Sequence, residues 1–483
     1  MLGSFRGKPV AIVGLGRSNQ SLCRYLVKEG ACVTCFDQKT QDELGTAYGE
    51  LRSLGVAFSL GETYLDALPG FSSVFLTPGM KKNLPQIVEA RRSGALISNE
   101  IALFLDRCKA RVCGVTGSAG KTTTATLLGM MLEESPEGKE VYVGGNIGAV
   151  LIEKVDSIAK DALVVLELSS FQLELVTKSP QAALVLNIRP NHLDIHDSYR
   201  DYVEAKKNIY RSQTDRDWCI LNLDDPLARS MAAECPGRTG FFTLDPKAAR
   251  RELAAGHPVA WREGEDLMVG ASSKHHLGVS GGGVRLGGRD DLLVPGQHNV
   301  SNALAAALGA LIMGATPAAA NSAIRSFRGV EHRIEFVREL RAVRYYNDSI
   351  ATSPDRTEAL LDAVTGPLVL IMGGYDKGLP FGDLAEKIVT RGCAVVTLGK
   401  TATKIEEALQ SAWRMARPAG SLPWPASPDV ERVGTLEEAV RAAAAKAKPG
   451  GSVVLSPACA SYDMFANFEE RGRMFKEIVR RLE

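Results

Sequence analysis

Residues 111–132 read RVCGVTGSAGKTTTATLLGMML, and the fold is decided in this stretch. An apolar β-type run passes into Gly117-Ser118-Ala119-Gly120-Lys121-Thr122, and a helical pattern begins at once. Glycines let backbone N–H groups approach phosphate oxygens, the helix N-terminus adds partial positive charge, and Lys121 can reach the outer phosphates. Thr122 is placed to meet magnesium, with Thr123 beside it. Val115 stands six residues before Lys121, where the strict GxxxxGK[ST] pattern has glycine, so this is a variant phosphate loop.

On both sides of this loop the chain alternates β-type runs with helical periodicity, as α/β units with largely parallel sheets do. The first block runs from Val10 to about Ala110, with VAIVGLG, a helix expected from about Gln20 to Glu29, ACVTCFD and SVFLTPG. The second holds the loop, ALVVLELSS, AALVLNI and DWCILNLDD, and closes on NALAAALGALIMG. The third starts near Glu331 with RYYNDS, PLVLIMGG, CAVVTLG and GSVVLSPA. Domains at 1–110, 111–330 and 331–483 follow, which suits a chain of 483 residues. Asp245–Gly288 and Ala416–Pro428, the latter with four prolines, read as loops or edge elements.

Strand ends carry the next chemical signals. Glu167 ends the run in ALVVLELSS, and His192 follows AALVLNI by a few residues. In parallel α/β sheets ligands bind at the C-terminal strand edge, where the phosphate loop also opens, so Glu167 and His192 are expected to converge on the magnesium of ATP. Near the N-terminus, Gly14 and Gly16 mark a strand-to-helix turn and Asp37 ends the second strand, but Asn19 replaces the third glycine of a dinucleotide fingerprint. A turn holding the diphosphate of some nucleotide is the reading kept. A dehydrogenase reading rests on Gly14, Gly16 and Asp37 alone and leaves the phosphate loop unexplained. A non-catalytic nucleotide sensor is the second alternative.

Bulk properties fit an ordinary globular protein: 45% hydrophobic, 23% charged and a net charge of +1. Neither nucleic acid nor a membrane is implied as a partner. The N-terminal residues run into a strand-like segment with no long apolar stretch, which predicts a cytoplasmic protein. Nine scattered cysteines suit reduced, buried thiols, and the CxxC of Cys32 and Cys35 lies in a strand, where core packing is expected.

With these residues in view the chain resembles the Mur ligases over nearly its whole length. TGSAGKTTT, GGNIG, LELSSFQLE, NHLD, PGQHNVSNALAA, EHR and NDSIAT follow in the family order. GLGRS, TPG, GGYDKG and LSPACASYDMFANFEERGRMF resemble the branch of the family that uses D-glutamate. The resemblance implies three α/β domains: a Rossmann-like N-terminal domain for a UDP-linked substrate, a central ATPase-like domain with the phosphate loop, and a Rossmann-like C-terminal domain for the amino acid. It implies ATP-dependent amide formation through an acyl phosphate, with UDP-N-acetylmuramoyl-L-alanine and D-glutamate as substrates. It further implies magnesium, two ions in number, and a monomer.

Carried over by position, Arg17, Ser18, Asp37, Thr77, Pro78, Gly79 and Asn146 are expected to hold the UDP-sugar. Gly117, Ser118, Ala119, Gly120, Lys121, Thr122, Thr123, Asn299, Asn302, Arg333 and Asp348 are expected to contact ATP. Thr352, Lys377, Ser461 and Phe468 are expected to hold D-glutamate. Lys206 resembles the position at which the family carries a CO2-derived carbamate, and Lys121, Glu167, His192 and Lys206 form the expected catalytic set, with Thr122, Glu167, His192 and Lys206 on the metal. Two departures stand out: Asn191 and Ile350, where some relatives have aspartate and lysine.

Overall fold

A computed structural model describes residues 3–190, 195–275, 277–279, 282–416 and 427–483. The chain forms two compact units, one of residues 1–289 and 301–324, the other of residues 290–300 and 325–483.

The first unit holds two sheets. Strands β1 (Pro9–Val13), β2 (Cys32–Asp37), β3 (Ala57–Leu60), β4 (Ser73–Leu76) and β5 (Leu96–Ser98) form a parallel sheet in the order β3-β2-β1-β4-β5. The order reverses direction at β1 and β4, which opens a crevice at their C-terminal ends. Valine, isoleucine and phenylalanine fill these strands because helices cover both faces, as in any wholly parallel sheet. The first helix spans Arg17–Lys28 and so begins three residues before the expected start. Its first turn carries Arg17 and Ser18, polar residues that a periodicity search discounts.

The second sheet is built from β6 (Arg111–Thr116), β7 (Val141–Gly145), β8 (Leu163–Glu167), β9 (Ala182–Val185), β10 (Trp218–Asn222), β11 (Arg238–Thr243), β12 (Val259–Glu263), β13 (Asp266–Gly270) and β14 (Val284–Gly288). Its order is β14-β13-β12-β11-β10-β9-β6-β8-β7, with β6 central between β8 and β9. The segment expected as loop or edge from Asp245 supplies the helix Pro246–Ala254, β12 and the antiparallel edge strands β13 and β14. The other such segment, Ala416–Pro428, falls mostly outside the described residues.

The second unit carries β15 (Glu335–Leu340), β16 (Val343–Asn347), β17 (Leu368–Gly373), β18 (Ala394–Leu398), β19 (Val430–Arg432) and β20 (Ser452–Leu455), ordered β15-β16-β20-β17-β18-β19. All pairs are parallel except β15 with β16. Apolar clusters lie on both faces of this sheet.

Cys32 departs from the expected core packing: it is exposed at the start of β2, and Cys35 is buried. Side chains alternate along a strand, so residues three apart point to opposite faces and cannot pair. Cys35 instead meets Cys23 of the first helix, Sγ to Sγ 3.1 Å.

Candidate functional site

The phosphate loop sits at the C-terminal edge of the second sheet. Gly120 has φ +84°, and a Cβ there would lie 2.3 Å from Oδ1 of Asn302, so both backbone and neighbour demand glycine. Asn302, on the helix Gln297–Met313, is thereby brought against the loop. Asn299, one turn earlier on that helix, donates to the carbonyl of Pro295 at 2.6 Å.

The loop is braced from one side by the residues that follow β9. The Ser118 N–H donates to the Asn187 carbonyl at 2.9 Å, the Ala119 N–H donates to Asn187 Oδ1 at 2.9 Å, and Asn187 Nδ2 returns a bond to the Ala119 carbonyl at 3.0 Å. Ser118 Oγ takes the Arg189 N–H at 2.8 Å and lies 2.7 Å from the Tyr202 hydroxyl. Sequence reasoning missed Asn187 and Tyr202; an asparagine directly after an apolar strand in the same sheet was the available signal for the first.

Three charged side chains meet beside the loop. Glu167 ends β8 and is buried; its Oε2 accepts from the Thr122 hydroxyl at 2.8 Å and its Oε1 from Asn146 Nδ2 at 3.1 Å. The Asn146 N–H donates to the Glu167 carbonyl at 2.9 Å, and Gly145, at φ +96°, leaves no room for a Cβ against that same carbonyl. Lys121 Nζ donates to the Gly117 carbonyl at 2.9 Å and the Ser118 carbonyl at 3.3 Å. Lys206 Nζ, from the helix Tyr199–Lys207, donates to the same Gly117 carbonyl at 2.9 Å and to Thr116 Oγ1 at 3.3 Å.

Two ammonium groups thus converge on one carbonyl. Lys206 is only 2% exposed, and burial, with the nearby Lys121 charge adding to it, pulls its pKa well below the ordinary lysine value; Glu167 opposes this. An amine so placed is neutral more often than a surface lysine and is correspondingly nucleophilic. Lys207, by contrast, pairs with Glu204 at 3.0 Å and Glu234 at 2.8 Å. Thr123 is half-buried in the first helical turn. His192 and Asn191 lie outside the described residues.

At the edge of the first sheet, three turns meet at the β1/β4 crevice. Gly14 has φ +81° and its missing Cβ would strike Thr77 Cγ2 at 2.7 Å, so the first turn and the TPG turn are fitted together. Asp37 accepts the Leu15 N–H at 2.6 Å on one oxygen and the Lys39 N–H at 2.9 Å on the other. Asn19, in the third-glycine position, ties the turn from below by donating to the carbonyls of Val13 at 3.0 Å and Gly14 at 2.8 Å. Arg17 is exposed at the start of the helix, Ser18 is half-buried, and Pro78 and Gly79 complete the TPG turn, with Gly79 at φ +83°.

In the second unit the strand-end loops gather the remaining residues. Lys377 Nζ donates to Thr352 Oγ1 at 3.2 Å. Ser461 is buried, and Phe468 opens the helix Phe468–Arg481 with its ring edge-on to His332 at 5.9 Å. Asp348 is buried, accepting the Ile334 N–H at 3.2 Å and the Ser456 hydroxyl at 3.0 Å; burial pushes its pKa up to about 7 against those bonds and the Arg333 charge. Arg333 sits between two residues of positive φ, His332 at 64° and Ile334 at 43°. Ile350 contributes only backbone bonds: its N–H donates to the His332 carbonyl at 3.1 Å and its carbonyl accepts from Arg356 at 2.9 Å.

The chemistry of the central donor set suits magnesium, a hard cation that takes oxygen ligands and keeps several waters and phosphates: Thr122 Oγ1 and the Glu167 carboxylate are such donors. Among the described residues no three histidine, cysteine, aspartate or glutamate side chains form a metal cluster.

The fold and the loop define a phosphate-loop α/β enzyme. Three family models match in succession: the Mur ligase MurD-like N-terminal domain over residues 8–99, the Mur ligase middle domain over 115–310, and the Mur ligase glutamate ligase domain over 332–459. Curated relatives match along almost the entire chain. One from Symbiobacterium thermophilum is 46% identical over 474 residues, covering 98% of each chain; one from Acetivibrio thermocellus is 40% identical over 478 residues, covering 99% of this chain and 97% of that one; one from Clostridium tetani is 42% identical over 475 residues, covering 98% and 97%. All three are named UDP-N-acetylmuramoylalanine--D-glutamate ligase. Among solved structures, MurF from Acinetobacter baumannii shares the fold at a TM-score of 0.51 and 16% identity, over 99% of this chain and 92% of that one.

The chain belongs to the Mur ligase family. It is therefore an ATP-dependent peptide ligase, of a family that uses ATP and Mg2+.

Proposed function

We propose that this protein joins the amine of D-glutamate to the L-alanine carboxylate of UDP-N-acetylmuramoyl-L-alanine, forming ADP and phosphate, as a cytoplasmic step of peptidoglycan precursor synthesis carried out by a monomer. The observation that carries the reading is the convergence of Lys121 and Lys206 on the Gly117 carbonyl, together with the Thr122–Glu167 hydrogen bond at the same loop, in a chain whose relatives bear this enzyme's name. Residues 1–110 serve the UDP-substrate, 111–330 ATP and 331–483 the amino acid.

A carboxylate is a poor electrophile at neutral pH, so the first step is its activation. A carboxylate oxygen of the L-alanyl group attacks the γ-phosphorus of ATP, the bond to the β-phosphate oxygen breaks, and ADP leaves. The amine of D-glutamate then attacks the acyl carbon, the carbon–oxygen bond to phosphate breaks, and phosphate and a proton depart. Lys121 leaves its carbonyls to stabilise the charge on the transferred phosphoryl group. Thr122 and Glu167, whose side chains meet, would hold Mg2+, which would supply neutralisation of phosphate charge. Asn146 keeps the Glu167 carboxylate oriented. The loops of Gly14–Ser18, Asp37 and Thr77–Gly79 take the UDP portion, and Thr352, Lys377, Ser461 and Phe468 take D-glutamate.

Lys206 works as a carbamate in this reading. Its amine, buried beside Lys121 with a lowered pKa, is primed to add to CO2. The new N–C bond forms as one N–H proton is lost to solvent, and the product is an anion, which turns the repulsion between the two lysines into attraction and supplies oxygen donors that an ammonium lacks. Incubation with 13C-labelled bicarbonate should give a carbamate carbonyl resonance that Lys206→Arg abolishes and Lys207→Arg keeps. A bare amine at Lys206 in the fully active protein would refute the carbamate. The function itself is tested by crossing candidate amino acids with UDP-linked acceptors: phosphate release should require both D-glutamate and UDP-N-acetylmuramoyl-L-alanine. Release with ATP alone, or a nicotinamide absorbance change instead, would overturn it.

A further inference from the structure

Arg471 is 3% exposed, yet it forms no ion pair among the described residues. A buried guanidinium without a carboxylate is costly, so its donors must be spent elsewhere. Three of its four bonds go to backbone carbonyls and one to a hydroxyl. Nε donates to Ser349 Oγ at 3.0 Å and Nη2 to the Ser349 carbonyl at 2.9 Å. Nη2 also donates to the Cys459 carbonyl at 3.2 Å, and Nη1 to the Ala460 carbonyl at 3.2 Å.

These acceptors belong to the loops that carry the proposed amino-acid residues. Ser349 lies three residues before Thr352, and its hydroxyl donates to the Phe468 carbonyl at 2.8 Å. Ala460 directly precedes Ser461, and its carbonyl also accepts the Tyr375 N–H at 2.9 Å, which ties in the loop of Lys377. Gly374 is glycine in part because a Cβ there would lie 2.2 Å from the Ala460 carbonyl and 3.3 Å from Arg471 Nη1. The loop needs such a clamp: Ala458, at φ 56°, is a non-glycine residue in the left-handed region, a conformation that persists only when its surroundings hold it.

We propose that Arg471 is a positioning residue for the amino-acid pocket, fixing the loops of Thr352, Ser461 and Lys377 relative to one another through carbonyl contacts and touching no substrate. The proposal rests on the functional reading above. Burial also pulls the arginine pKa down to about 10, so it stays cationic at neutral pH and its charge, unneutralised at short range, lies beneath a pocket for an anionic amino acid.

Arg471→Lys keeps the charge but loses the planar fork that reaches both loops. It should raise the KM for D-glutamate about tenfold or more while leaving the KM for ATP and for the UDP-substrate within about twofold. Arg471→Ala should be worse, and millimolar guanidinium should restore part of its kcat/KM. Amide hydrogen exchange should quicken at Ser349–Thr352 and Ala458–Ser461 and stay unchanged in β17 and β18; this readout needs no turnover, so it judges the clamp even if D-glutamate proves not to be the substrate. An unchanged D-glutamate KM in folded Arg471→Lys, an equal rise in all three KM values, or exchange that quickens throughout the sheet would overturn the proposal.

Discussion

Glu100 is the first residue of the helix Glu100–Arg107, behind the cap Asn99, which accepts the Ala102 N–H at 2.8 Å and donates to the Gln172 carbonyl at 2.7 Å. The glutamate is 4% exposed and makes no hydrogen bond or ion pair among the described residues, so burial alone pushes its carboxyl up to about 8 from 4.5. Because the folded value lies above the unfolded one, the folded state binds the extra proton between those limits, and stability falls as pH rises from about 4.5 to about 8. At about 1.4 kcal/mol per tenfold change in acid constant, keeping this carboxyl ionised in place costs on the order of 3 to 5 kcal/mol above pH 8. Glu100→Gln preserves the shape and removes the titration. At pH 5 the variant should lie within about 1 kcal/mol of the wild type, because the carboxyl is then neutral in the fold and matches the amide in shape. At pH 9 it should be the more stable protein by several kcal/mol, read as the difference in urea midpoint of the transition that reports Trp218 and Trp261. A stability difference that stays constant from pH 5 to pH 9 would refute the reasoning, since it would mean that Glu100 is solvated or paired.

Three further predictions concern catalysis. Lys121→Ala removes a cation from the path of the transferred phosphoryl group and should lower kcat on the order of a hundredfold or more with the UDP-substrate still bound, as equilibrium binding would show; near-normal turnover would mean that the loop is misassigned. Gly120→Ala places a methyl group against Asn302 and forces a left-handed alanine at about 1 to 2 kcal/mol, so ATP affinity measured by calorimetry should drop while D-glutamate KM holds. Lys377→Ala should chiefly raise the KM for D-glutamate and leave that for ATP, and an unchanged D-glutamate KM would count against an amino-acid pocket in the second unit.

What could be read from sequence was what is local in the chain. The phosphate loop, its helix and the carboxylate ending β8 are each written in at most 13 consecutive residues, and strand-then-glycine-then-helix has few physical meanings. Lys206 was visible only through resemblance, because its partner Thr116 is 90 residues away and nothing about a helical lysine announces burial. Arg471 was missed for the same reason: its acceptor Ser349 is 122 residues distant, and in sequence it looks like one more charge on an amphipathic helix. Cys32 was misjudged because a β-type run predicts burial for all its members, whereas Cys32, the first residue of β2, is exposed. Gly14 was legible as a turn, but not the fact that its missing side chain makes room for Thr77.

The two bonds from Lys121 to its own loop bear on how tightly nucleotide can be held. The ammonium is already solvated by protein, so phosphates entering the loop trade places with Gly117 and Ser118 carbonyls and do not meet a bare charge. The gain on binding is the difference between two satisfied states. Counting phosphate contacts in a complex would therefore overstate the affinity, and a lysine already held by its own loop has little entropy left to lose when it turns to the phosphoryl group.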